Sequence, residues 1–203
     1  GPPRGIPNEY PTHLGYLFAD ERVVFPYEIA GAVLFSLGFL AFASIGLGLR
    51  NLVGPRDPIG TIVSACFAFA AGLLVVSQLI FVGAKQVAID KALCDCRWAT
   101  EQLISQHRTL EMVYGINDWL VTGSLFLAGL GMPAIPALVR RQPLLSVAWA
   151  RASQALAVVF FVAVLAVFFQ VDIVFQLIAA IGSVLLLPAW ALWLARQVHG
   201  TRS

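Results

Sequence analysis

Five charge-free apolar runs constrain this chain more than any other feature: Ile29 to Leu49, Ile59 to Ala84, Trp119 to Val139, Ala152 to Val171 and Ile173 to Ala195. A helix rises about 1.5 Å per residue, so each run is long enough to cross the roughly 30 Å of hydrocarbon in a bilayer. The fourth and fifth runs are separated only by Asp172. One helix through both would overshoot the bilayer about twofold, so a tight turn is expected there, with Asp172 as the N-cap of the fifth span. The expected fold is an all-α integral membrane protein, a five-transmembrane-helix bundle.

Composition agrees. Of 203 residues, 59% are hydrophobic and 12% charged, against about 25% charged in soluble domains. The formal charge is only +2, and no clustered Lys/Arg face suggests nucleic acid as a partner.

The segments between the runs divide the chain. Residues 1–28 are rich in proline and aromatics, including Tyr10, Tyr16 and Phe18, and read as an irregular N-terminal arm. The bundle follows over 29–203, with an outer segment at 85–118. Within that segment Ala99, Leu103, His107, Leu110 and Tyr114 recur at helical spacing while Glu101, Ser105 and Arg108 fall elsewhere. That pattern predicts an amphipathic helix between the second and third spans, lying on the bilayer or extending the third span. Gly54-Pro55-Arg56-Asp57-Pro58 breaks the first two spans apart, and Pro133 and Pro136 predict a kink or early exit in the third. Tyr27, Trp119, Trp149, Trp190 and Trp193 stand near span ends, where interfacial aromatic anchors are expected.

Arg50, Arg56, Arg140, Arg141, Arg151, Arg196 and Arg202 fall on one side of this topology, with Asp57 as that side's acid. The positive-inside rule then places the N-terminus outside and the C-terminus in the cytoplasm. The layout is similar to that of many small bacterial multi-span proteins, a likeness that implies no activity.

Few residues suggest chemistry. Cys94-Asp95-Cys96 with His107, and His13 as a fourth ligand, is the sole metal constellation, but structural zinc sites space their cysteines by two to four residues. No metal or cofactor is therefore expected, only bound lipid. The runs hold no histidine for a bis-histidine haem, no lysine for a retinal Schiff base, and no charge for an ion relay. Gly60, Ser64, Ala68 and Gly72 recur every fourth residue, a thin face for helix packing, matched on the first span by Gly31, Gly38, Ser44 and Gly48.

Three roles fit these residues. The first is a non-catalytic accessory or structural subunit of a membrane complex, with lipid and other membrane subunits as partners. The second is a small-solute transporter or channel, gated near Pro133 and Pro136 and lined by Ser77, Gln78 or Ser124. The third is an enzyme whose outer-face site uses Asp90, Asp95, Glu101 and His107.

Overall fold

A computed structural model describes residues 10–93, 100–142 and 144–200. Among the described residues seven α-helices follow in order: α1 (Tyr10–Val53), α2 (Pro58–Leu93), α3 (Thr100–Gly131), α4 (Ile135–Val139), α5 (Val147–Phe168), α6 (Asp172–Ile181) and α7 (Leu187–Gly200). A 3-10 turn, Met132–Ala134, joins α3 to α4, and a π-helical segment, Gly182–Leu186, joins α6 to α7. No strand occurs among the described residues.

Among those residues four helical stretches are long and apolar enough to cross a membrane: Phe18–Val53, Pro58–Ala92, Leu103–Val139 and Val147–Phe168. The chain is thus a multi-pass membrane helix bundle. The fifth expected run is helical from Asp172 to Gly200 but is interrupted by the π segment.

Contacts divide the chain into two compact units, residues 1–34 with 76–119, and residues 35–75 with 120–203. The first unit has a small core of Phe18, Ala88, Ile89, Ala92, Leu103 and Leu110. The second has a larger core centred on Phe42, Phe67, Trp149 and Trp190.

Three element boundaries differ from those read in the sequence. Residues 10–28, expected as an irregular arm, are the first part of α1, which runs through Pro26. Proline removes one amide donor there, but a stripe spaced alternately three and four residues apart still faces inward, with Phe18, Ala32, Phe39 and Phe42 buried and Glu21, Phe25, Glu28 and Phe35 half-buried. Contacts on both sides of Pro26 outweigh the lost bond. Residues 85–93, expected within an outer loop, extend α2, and residues 100–118 begin α3, so the segment read as an outer helix is continuous with the third run. The fourth run also starts earlier, at Val147, because Ser146 caps α5 by accepting a bond from the Trp149 amide at 3.2 Å.

In the second unit α5 ends in a Schellman turn: the Val171 amide reaches Ala166 O at 2.9 Å and the Gln170 amide reaches Val167 O at 3.0 Å. Gln170 takes the left-handed conformation, φ 56°, that a glycine usually occupies. The side chain of Asp172, the expected cap, lies outside the described residues, and the Val174 and Phe175 amides both donate to Val171 O. Gly182 then lets Phe160 approach closely, since a Cβ there would lie 3.2 Å from the ring.

The thin faces meet only in part. Gly60 and Ser64 are buried, and a Cβ at Gly60 would lie 2.8 Å from Val53 Cγ2. Ala68 and Gly72 remain exposed. On α1 the close approach is made by Gly46, where a Cβ would lie 3.1 Å from Phe67 and 3.2 Å from Ser64 Cα, whereas nothing lies within 4 Å of Gly31, Gly38 or Gly48. Trp149 and Trp190 are also not interfacial anchors: both are buried, with rings stacked at 4.9 Å. Trp149 Nε1 donates to Trp190 O, Trp190 Nε1 to Ser153 Oγ, and Ser153 Oγ to Trp149 O. Tyr27, Trp119 and Trp193 are exposed.

One end of the second unit is tied by polar bonds between turns. Asp57 caps α2, its Oδ1 accepting from the Ile59 and Gly60 amides at 2.9 Å each, and its Oδ2 pairs with Arg141. Gln142 Nε2 donates to Leu52 O at 2.6 Å. The Gly60 amide above all, then Arg141 and the Ile59 amide, hold the Asp57 carboxyl below its usual range against the opposing effect of desolvation. A lowered folded value means the stabilisation is complete above about pH 4 and is lost as pH falls through that lowered value. The melting temperature in detergent is therefore expected to drop more steeply below about pH 4 for the native chain than for Asp57→Asn; equal slopes would show that the carboxylate contributes nothing.

Candidate functional site

The most unusual chemistry in the chain lies in the first unit, around Lys85. Its side chain is 0% exposed, and it sits on α2 one residue past the run Ile59 to Ala84. An ammonium group carries three donors. All three have acceptors here: Glu21, Glu28 Oε1 at 2.8 Å, and the Tyr114 hydroxyl at 3.1 Å. Glu28 Oε2 is itself buried and 2.7 Å from Nζ, an ion-pair contact that completes a forked approach to the lysine. The Phe81 and Tyr114 rings lie 5.4 and 5.6 Å from the ammonium, within cation–π range.

Helical spacing delivers these groups. Glu21 and Glu28 are seven residues apart, two turns along one face of α1. Ser77, Phe81 and Lys85 follow every fourth residue on α2, and Tyr114 and Asn117 are three apart on α3. Ser77 Oγ donates to Asn117 Oδ1 at 2.5 Å, so the same helix pair carries a second polar bond below the lysine in α2 order. The cluster joins three helices through one cation, with two carboxylates 25% and 28% exposed.

The apolar run contains no lysine, but the helix does, because α2 continues beyond Ala84 and carries Lys85 in the helical stretch Pro58–Ala92, which is long and apolar enough to cross a membrane. Lys85 is masked in the sequence by its place at the edge of the run. The signal that could have exposed it is the four-residue spacing Ser77, Phe81, Lys85 together with the seven-residue spacing of the two glutamates.

The groups singled out from sequence are not assembled into a centre. Cys94, Asp95 and Cys96 lie outside the described residues, as does the side chain of His13. His107 Nε2 is 3.5 Å from Glu111, one turn away on its own helix, and its Nδ1 is buried with no hydrogen-bond partner among the described residues. Asp90 and Glu101 are exposed. No group of three or more His, Cys, Asp or Glu side chains positioned for a metal occurs among the described residues. Of the groups considered for a solute path, Ser77 is bonded to Asn117, and Ser124 Oγ donates to Ala70 O at 2.8 Å in the second unit.

The chain matches no protein-family model, no curated protein and no solved structure.

Removing the cation leaves two carboxylates facing one another without a counter-charge. Breaking a buried ion pair on one side costs about 3–5 kcal/mol, and the partial exposure of both glutamates puts Lys85→Met toward the lower end of that range. Hydrogen exchange should accelerate across residues 18–34 and 85–93 in Lys85→Met, with amides around Trp149 unaffected. Unchanged protection in the first region would show that the cluster does not hold these helices.

Proposed function

We propose that this chain is a non-catalytic structural subunit of a larger membrane assembly, crossing the bilayer five times with its N-terminus outside. The observation that carries the reading is the use made of polar side chains along the helices. Ser77, Lys85, Ser124, Ser153 and Trp190 are all bonded to other helices or turns of their own unit. Groups committed in this way hold helices together in an environment without water, and they are not the free donors that a solute path requires.

Further features support the finer topology. Residues 172–200 are helical throughout, long enough for a fifth crossing. The start of α3 buries Leu103 and Leu110 while Glu101, Ser105 and Arg108 are exposed, in keeping with an amphipathic extramembrane helix. Six of the seven arginines assigned to the cytoplasmic side lie among the described residues of the second unit, and the positive-inside rule directs them inward. Exposed Ala68 and Gly72, on a thin face whose other half is already packed, offer a place where a helix of another subunit can approach closely.

A photo-crosslinking residue at Ala68, introduced into the chain in its native membrane, tests this reading. A discrete protein adduct that disappears with Gly72→Leu is expected. Crosslinks to lipid alone, together with recovery of the chain as a stable monomer, would contradict it.

A further inference from the structure

In the second unit the beginning of α5 and the end of α7 are pinned side by side. The Ser146 amide donates to Gln197 Oε1 at 3.0 Å, and Gln197 Nε2 donates back to Ser146 Oγ at 2.8 Å. Arg151 follows Ser146 by five residues, and Arg196 directly precedes Gln197. The two guanidinium-bearing positions therefore belong to the same end of the helix pair. Both residues are exposed, and neither forms a salt bridge among the described residues.

Between α5 and α7 runs an open groove of about 290 Å³ with almost wholly apolar walls. Ala155 and Val159 line it from α5, and Ala189 and Trp193 from α7. On α5 the positions 151, 155 and 159 are spaced by four, and on α7 the positions 189, 193 and 196 by four and three. Side chains at these spacings share one helix face. Each wall of the groove thus continues, one turn further on, into an arginine.

We propose that this groove and its two arginines bind one anionic phospholipid, an acyl chain lying between α5 and α7 and the headgroup phosphate between Arg151 and Arg196. The apolar walls select a hydrocarbon chain over a soluble anion, which would gain nothing from them. The paired guanidiniums select the headgroup charge: each presents a planar fork of donors that matches phosphate oxygens. The zwitterionic choline headgroup places a quaternary ammonium beside its phosphate, and that cation is repelled by the same two arginines. Trp193, 41% exposed, stands on the wall nearest Arg196, where an indole spans apolar and polar surroundings.

The test uses the full chain purified in detergent and native mass spectrometry of bound lipid. Phosphatidylglycerol and phosphatidylcholine with identical acyl chains are titrated in competition, with inorganic phosphate as a separate arm. Phosphatidylglycerol should bind about tenfold more tightly than phosphatidylcholine. The double variant Arg151→Gln with Arg196→Gln should abolish that preference, while Arg56→Gln with Arg140→Gln, at exposed arginines off the groove, should keep it. Ala155→Phe with Ala189→Phe should reduce retention of both lipids by filling the groove; if that variant does not fold, the two arginine pairs decide alone. Equal retention of the two lipids by the native chain would overturn the proposal. So would an equal loss of preference in the two arginine-pair variants, which marks a diffuse basic surface, or displacement of lipid by inorganic phosphate at the lipid's own concentration.

Discussion

Hydrocarbon supplies no hydrogen bonds, and the rest of this structure depends on meeting that constraint from within. Backbone groups are satisfied by helices, which is why the described chain is helical almost throughout. Side chains are the harder case. Lys85, whose side chain is fully buried within its unit, is fully satisfied: each of its three protons is directed to an acceptor on another helix. Leaving any of these groups unpaired costs far more than the pairing itself contributes, so the cluster acts chiefly by forbidding alternative arrangements of α1, α2 and α3.

The second unit answers the same demand with neutral groups. Trp149, Ser153 and Trp190 close a cycle of bonds in which each indole donor has an acceptor. Small residues then set helix spacing where polar groups do not, as at Gly46 and Gly60. Dispersion contacts between closely approaching helices favour association even where lipid and side chain are equally apolar. At the arginine-rich end, Asp57 and Gln142 pair the turns in polar surroundings, where such bonds are individually weaker.

Much of the membrane character was legible in the sequence, because a run without charge and of sufficient length has few other fates. What was obscured had physical causes. Glu21 and Glu28 hide the heptad stripe of α1, since half-buried carboxylates look like solvent-facing residues until their counter-ion is known. Pro26 reads as a breaker, yet the burial of Phe18 and the pairing of both glutamates carry the helix through it. Gly38 and Gly46 are the same residue type, and the positions of Phe67 and the Ser64 backbone distinguish the one that packs from the one that does not. Trp149 and Trp190 follow span-end statistics in sequence and are nonetheless core residues, because each finds an acceptor for its indole N–H inside the unit.

On the proposed reading, polar side chains along these helices serve helix contacts and do not face a water-filled path. The most direct measurement is thiol labelling of Ser77→Cys and Ser124→Cys, each in a chain otherwise freed of cysteine and reconstituted into sealed liposomes, with a membrane-impermeant maleimide applied to either side. Both positions are expected to stay unlabelled from both sides. Modification of either one at a rate approaching that of an exposed loop cysteine would contradict it.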